Sequence, residues 1–419
     1  MQWSPQQQSA LDAVGRWLKT GSDGQQVFRL FGYAGTGKTT LAKHLAEGAG
    51  KVLFATFTGK AAHVLRSKGC GGASTIHSLI YQPRDRGTYR IDDLKRQLDE
   101  LVEHLSIEAA ERRAEGENVP STFIDNNENV RRIKADIEAE KKACRKPIFE
   151  LKEETPLRDA DLLVVDECSM VGDEMAQDLL SFGVKVLVLG DPAQLPPVKG
   201  SGYFTEARPD VLLTEIHRQA RDNPIIDLAT RIHEGRSLEV GEYGESRVIH
   251  VSSAGKGLYT NHDQMLVGTN KTRKAVNGEF RRILGRDSIP TPVAGDRLVC
   301  LRNNHDLGLL NGSLWRVTRA EPPYAQRVLL DIEPADGVGV PMQCVAHEQF
   351  FLGGEPSFYE MKEAQSFDFG YALTTHKAQG SQWDSVLILD ESASFREHRD
   401  RWLYTAITRA AERVTVVLR

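Results

Sequence analysis

Val27-Phe28-Arg29-Leu30-Phe31 runs without a break into Gly32-Tyr33-Ala34-Gly35-Thr36-Gly37-Lys38-Thr39, and a helical stretch from Thr40 to Ala46 follows. An apolar strand that feeds a glycine-rich loop and then a helix is a phosphate cradle. Glycines let the chain wrap tightly enough for backbone N–H groups of Gly35, Thr36, Gly37 and Thr40 to face an anion, and the helix start adds partial positive charge. Lys38 is placed to bridge β- and γ-phosphates, and the Thr39 hydroxyl to ligate Mg²⁺. The chain is therefore expected to use ATP or a related nucleotide with Mg²⁺, in an α/β fold.

Working outward, Lys51 to Thr56 reads as a second buried strand. Asp161 to Val165, ending in Asp166-Glu167, and Val184 to Leu189, ending in Gly190-Asp191, read as two more. Short apolar strands that alternate with helices and end in polar residues predict a parallel sheet with its site at the carboxyl edge. Asp166 is expected to hold the metal and Glu167 to deprotonate the attacking water. Gln194, in Gly190-Asp191-Pro192-Ala193-Gln194-Leu195, can hydrogen-bond a γ-phosphate or that water; the same stretch also reads as a rigid turn.

Between Tyr81 and Thr155 the pattern changes. Ile91, Leu94, Leu98, Leu101, Val102 and Leu105 recur at helical spacing among charges, and Val130, Ile133 and Ile137 repeat the spacing after a break near Pro120. This predicts an inserted helical arm, read as an antiparallel pair. A second α/β segment is expected around Met265 to Asn270, Ser385 to Asp390 and Val414 to Leu418, with a turn-rich, short-stranded insertion from Gly295 to about Gly353.

Composition bounds the rest. With 419 residues the chain exceeds a usual single domain. No apolar run is long enough to span a bilayer, and the first residues do not pattern as a signal peptide, so a cytoplasmic protein with no membrane partner is expected. The five cysteines, Cys70, Cys144, Cys168, Cys300 and Cys344, are scattered and read as reduced thiols. A net charge of -5 does not advertise a nucleic-acid binder, yet a local groove of Lys and Arg suffices for one.

The ordered segments resemble the motifs of superfamily 1 helicases. They are Trp3-Ser4-Pro5-Gln6-Gln7, the phosphate loop, Phe57-Thr58-Gly59-Lys60-Ala61-Ala62, Thr75-Ile76-His77-Ser78-Leu79, Asp166-Glu167 and Gly190 to Leu195. Leu213 to Gln219, Tyr371 to Gly380 and Tyr404 to Ala410 continue the series. Their wording is most similar to the 5′-to-3′ branch, superfamily 1B, typified by RecD and the phage Dda helicase. The resemblance implies two RecA-like P-loop domains, with a helical insertion in the first and a small SH3-like β-barrel in the second. Residues 1–82 and 156–205 would form the first domain, 83–155 the arm, 206–290 and 362–419 the second domain, and 291–361 the barrel.

It implies roles as well. Gln7 would read adenine, Gly380 would border the nucleotide, and Arg218 and Arg409 would reach across as arginine fingers. Thr58, Lys60, His77, Asn270, Thr374 and His376 would hold single-stranded DNA by its backbone. Hydroxyls and amides of this kind also cap helices and turns. The activity implied is ATP-driven unwinding by a monomer at junctions of single- and double-stranded DNA. Relatives carry a compact β-hairpin pin where this chain has its arm, so the arm is expected either to split the duplex or to dock a replication or repair protein. A translocase that strips proteins from DNA, a nucleotide-gated interaction protein, and RNA as the strand are the competing readings.

Overall fold

The computed structural model describes residues 3–20, 24–84, 89–143, 148–197, 200, 202–215, 223–253, 255–258, 261–304, 306–354 and 364–419. The strands, in chain order, are β1 (Val27–Gly32), β2 (Val52–Thr56), β3 (Ser74–Thr75), β4 (Tyr81–Arg84), β5 (Ile148–Leu151), β6 (Leu162–Asp166), β7 (Val186–Gly190) and β8 (Val211–Leu213). They continue as β9 (Gly241–Tyr243), β10 (Ser246–His250), β11 (Gln264–Val267), β12 (Arg297–Cys300), β13 (Leu314–Ala320), β14 (Arg327–Pro334), β15 (Met342–His347), β16 (Phe367–Phe369), β17 (Ala372–Thr374), β18 (Trp383–Leu389) and β19 (Ala410–Leu418).

The first sheet is parallel throughout, in the order β3-β2-β6-β7-β1-β8. β6, β7 and β1 are neighbours, so Asp166, Gly190 and Gly32 emerge side by side at one edge. Strands buried on both faces need apolar residues at every position, which is why Leu162 to Val165 and Val186 to Leu189 read as continuous hydrophobic runs. The helix after the phosphate loop starts at Lys38, two residues before the expected Thr40, because Gly37 in the left-handed region already serves as its N-cap. A second sheet, β17-β11-β18-β19-β10-β9, is parallel except for the β10–β9 pair.

Two boundaries differ from expectation. β8 pairs with β1 and so extends the first sheet past residue 205, and β16 pairs with β12 in an antiparallel sheet, β15-β14-β13-β12-β16, that passes residue 361. Both strands have three residues, too few to show a period of two. Trp315 and Phe367 fill the interior of this five-stranded unit.

The stretch between Tyr81 and Thr155 holds helices Tyr89–Ala114 and Glu128–Ala143. Ile91, Leu105, Ala109, Val130, Ile133 and Ile137 are buried between them. Arg90 near the start of the first pairs with Glu140 near the end of the second at 3.9 Å, so the two run antiparallel. At their root β4 and β5 form a two-stranded ribbon that the helical periodicity gave no reason to expect.

The two parallel sheets meet through close contacts. Gly380 has φ +73°, and a Cβ there would lie 2.8 Å from the Ala61 Cβ and 3.1 Å from the Thr58 Oγ1 of the first domain. Gly380→Ala is therefore expected to force the domains apart. Strain at a positive φ costs about 1 kcal/mol or more, and small-angle scattering should give a larger radius of gyration, with a lower thermal midpoint, than the parent chain.

Candidate nucleotide cleft and strand-facing residues

The loop after β1 is closed by its own geometry. Gly35 and Gly37 sit at φ 79° and 80°, and a Cβ at Gly32 would lie 2.6 Å from Thr36 Oγ1 and 2.8 Å from Leu213 Cβ. The Thr36 hydroxyl donates to the Tyr33 carbonyl at 2.8 Å, and the Lys38 ammonium donates to Gly32 and Tyr33 carbonyls at 2.5 and 3.0 Å. Thr40 is exposed on the outer side of the helix.

At the neighbouring strand end, the Thr39 hydroxyl donates to Asp166 Oδ2 at 3.0 Å. Burial at the cleft floor, and then the adjacent Glu167 charge, push the Asp166 carboxyl up. Glu167 has φ 54°, a left-handed conformation unusual outside glycine, and such a residue stores about 1–3 kcal/mol. The kink turns its carboxylate toward Arg409 of the second domain, whose Nη1 is 3.9 Å from Glu167 Oε1. Arg409 is itself buried, donating to Thr405 O at 3.1 Å, Ser381 O at 3.4 Å and Thr408 Oγ1 at 3.2 Å.

Gly35, Lys38, Thr39, Asp166, Glu167, Gln194, Gly380 and Arg409 thus border one cavity of about 240 Å³ between the domains. The Gln194 side-chain oxygen in it is buried and accepts no hydrogen bond. Gln7 is placed differently. It is buried behind the loop, where its oxygen accepts from Ser4 N at 3.1 Å and its amide donates to Thr36 O at 3.1 Å. Arg218 lies outside the described residues, as does Cys144; Cys70, Cys168, Cys300 and Cys344 are buried free thiols.

Two features of this region carried no assigned role in the sequence. Tyr404, on helix Arg399–Ile407 of the second domain, donates to Asp191 Oδ2 at 2.8 Å and accepts from Ala34 N of the phosphate loop at 2.9 Å. Burial raises both titrations, with Asp191 adding to the Tyr404 shift. Beside it a cavity of about 160 Å³ is bordered by Tyr33, Thr214, Ile226, His233 and Tyr404, with the Tyr33 and His233 rings 4.2 Å apart. An aromatic residue inside a glycine-rich loop was the available signal for it.

Of the residues expected to hold a single strand, Thr58 and Thr374 cap helices. Their hydroxyls accept from Ala61 N and Lys377 N at 3.2 and 3.3 Å. His77 is half-buried against Phe149 of the ribbon, ring centres 4.2 Å apart, and burial lowers its titration. His376 lies against Phe395 at 5.6 Å. Asn270 is exposed at the start of helix Asn270–Ile283, and Glu391 holds the turn before it by accepting from Gly268 N at 2.8 Å and Thr269 N at 3.2 Å. Lys60 is buried, its ammonium 2.9 Å from Asp336 of the five-stranded unit. These six are not one patch: Thr58 meets Gly380 of the second domain and Lys60 meets Asp336 of the five-stranded unit, while His77 packs on the ribbon and His376 on Phe395.

Among the described residues no helix is long and apolar enough to cross a membrane, and no three His, Cys, Asp or Glu side chains form a metal cage.

Residues 2–254 match the AAA domain family, and residues 369–417 match the UvrD-like helicase C-terminal domain. Over 277 residues the chain is 30% identical to the ATP-dependent RecD2 DNA helicase of Deinococcus radiodurans, covering 60% of this chain and 36% of that protein. Over 289 residues it is 25% identical to the RecBCD enzyme subunit RecD of Mycobacterium tuberculosis, covering 61% of this chain and 49% of that one. The matched region is thus about a third to a half of the length of these relatives. In fold it is similar to the Pif1 helicase from Candida albicans, at 17% identity and TM-score 0.51, covering 100% of this chain and 94% of that one. The Bacteroides Pif1 helicase in complex with ADP-AlF3 and ssDNA is similar at 17% identity and TM-score 0.50, covering 99% and 92%. The AAA domain match takes in more than half of the chain, so the protein belongs to that family, and it is similar in sequence to RecD-type helicases and in fold to Pif1 helicases.

Proposed function

We propose that this chain is an ATP-driven motor that moves 5′ to 3′ on single-stranded DNA and opens the duplex ahead of it. The observation that carries the reading is the meeting of Thr39, Asp166, Glu167 and Gln194 from one sheet with Arg409 from the other across a single cleft. A binding module has no use for a general base facing an arginine from a second domain.

The cleft suits its ligands chemically. Thr39 and Asp166 place two hard oxygens side by side, and Mg²⁺ is commonly held by one or two protein oxygens plus substrate phosphates. Bound there, Mg²⁺ would neutralise charge on the β- and γ-phosphates. Lys38, released from the loop carbonyls, would contact the same phosphates. Glu167 would take a proton from the attacking water as its oxygen adds to the γ-phosphorus and the bond to the bridging oxygen breaks, with ADP leaving. The unpaired oxygen of Gln194 would accept a hydrogen bond from the water's other O–H and orient it, and Arg409, with Arg218 as a second finger, would stabilise charge on the transferred group. Gln7 would select adenine from behind the loop.

Residues 1–82 with 156–213 would be the first motor domain, and β9–β11 with β17–β19 the core of the second. The antiparallel helices would form the arm and the five-stranded unit an SH3-like barrel. Asn270, His376 and His77, with Thr58, Thr374 and Lys60, would contact phosphates of a strand laid along the seam between the units, as a monomer can do. The arm would serve as the wedge or as the dock for a replication or repair protein.

Lys38→Ala is expected to abolish hydrolysis. Glu167→Gln should keep nucleotide binding while lowering turnover by about 10²-fold or more, the usual scale for losing a general base; rapid turnover in an ATPase assay would show that the base is another residue. Given otherwise identical duplexes, the chain should open one with a 5′ single-stranded tail and leave one with a 3′ tail intact. Opening only the 3′-tailed duplex would reverse the polarity, and ATP consumption without opening would indicate a translocase. Replacing 89–143 by a short linker should slow unwinding or abolish partner capture without changing ATPase activity on single strands; no change in either would remove both roles from the arm.

A further inference from the structure

Lys60 is an unusual lysine. It is the second residue of helix Gly59–Ser67, yet its side chain is only 6% exposed and that of its partner Asp336 only 5%. The ammonium lies 2.9 Å from Asp336 Oδ2 and 4.6 Å from the centre of the Trp383 ring. Three units converge on this one charge: the first domain through Lys60, the second through Trp383 and the five-stranded unit through Asp336.

The carboxylate is presented rigidly. Asp336 Oδ2 also accepts from Leu314 N at 3.0 Å, and Oδ1 from Val338 N at 3.3 Å. Three residues on, Gly339 at φ +113° presses so closely on Trp315 that a Cβ would lie 2.5 Å from the ring. At the helix start, a Cβ on Gly59 would lie 3.1 Å from Asn303 Oδ1 and 3.3 Å from Leu310 Cδ2, so this edge of the five-stranded unit lies directly against the helix beside Lys60. Arg297 is a second cation within electrostatic reach of both members of the pair.

A buried ion pair is weak evidence for added stability, because desolvation offsets much of its attraction; its best-attested use is in specifying register or switching. A carboxylate with its Oδ2 2.9 Å from an ammonium also offers it what a phosphodiester does, an oxygen that carries negative charge. We propose that Asp336 is an internal stand-in for a DNA backbone phosphate, occupying Lys60 and holding the barrel over the groove until a single strand displaces it. The proposal rests on the reading of Lys60 as a strand contact. A strand then binds only the fraction of molecules in which the pair is open, and its apparent affinity is reduced by that fraction.

The test measures binding of dye-labelled oligothymidylate to the full chain by fluorescence anisotropy. Asp336→Asn, which removes the charge and keeps the shape, should tighten binding by about tenfold and raise ATP turnover without DNA. Asp336→Glu should stay near the parent. Lys60→Gln should weaken binding even though the pair is broken, and the double variant should resemble Lys60→Gln. A merely destabilised protein would bind less, so tighter binding cannot come from damage to the fold. Hydrogen exchange on the unaltered chain gives a second readout: oligothymidylate should accelerate exchange at 335–340 and leave 59–62 protected. Unchanged affinity in Asp336→Asn, or no change of exchange at 335–340, overturns the stand-in. Failure of the unaltered chain to bind oligothymidylate at all would instead overturn the strand-binding reading on which it rests.

Discussion

The Tyr404 hydroxyl joins three parts of the molecule that belong to two sheets. It accepts from the Ala34 N–H in the phosphate loop and donates to Asp191 at the end of β7, while its own helix belongs to the second domain. Tyr404 and Asp191 are buried and Ala34 is half-buried, so leaving the hydroxyl or the carboxylate unpaired would cost the desolvation of a polar group. The bridge is therefore made or broken as a unit, which favours discrete arrangements of the two domains over a continuum. Thr405, the next residue, accepts the backbone N–H of Leu195, in the loop after β7, at 2.9 Å, and Gln379 donates to the Leu195 carbonyl at the same distance. Arg409 leaves the same helix end, so the distance from its guanidinium to Glu167 follows from where Tyr404 is held.

The phosphate loop is linked to the chain entering the second domain as well. Gly32 leaves no room for a side chain because Leu213 of β8 lies against it. The residues just after β8 are held by Gln6, whose side-chain oxygen accepts from Thr214 N and Glu215 N at 2.9 Å. A change in the loop is thus mechanically adjacent to the run that leads to Arg218. Gln6 and Gln7, neighbours on the first helix, hold opposite sides of the cradle, one at β8 and the other at Thr36.

What could be read from the sequence was local or ordered. Strand, glycine loop and helix occur in that order only for a few physical reasons, and Asp166-Glu167 ends a strand whose apolar run announces burial on both faces. The arm was legible because its two helices repeat their apolar residues at a spacing no strand shares. The ribbon of β4 and β5, and the strands β8 and β16, are too short for any period to show. Thr58 and Thr374 were ambiguous in principle, since one hydroxyl oxygen serves equally to cap a helix or to meet a phosphate; here both cap. The Lys60–Asp336 pair was illegible for another reason. The residues lie far apart in the chain, and Asp336 sits in a turn whose composition says only that the backbone bends.

Helix Gly59–Ser67 relates the two faces of the molecule. Lys60, at its start, is covered by the five-stranded unit, while Ala61, Val64 and Leu65 border the nucleotide cleft on its other side. Gly380 of the second domain touches this helix at Thr58 and Ala61 and also borders the cleft. Energetic coupling between two sites needs a rigid element that both sites bias and that has more than one packed arrangement. A nine-residue helix touched by the second domain on one side and the five-stranded unit on the other meets the first requirement. At Gly380 the contact carries no interlocking side chain, so a second packed arrangement of the domains would meet no side-chain barrier there. Closure on a nucleotide and release of Asp336 from Lys60 would then act on the same helix from opposite sides, and neither would need a longer path through the protein to affect the other.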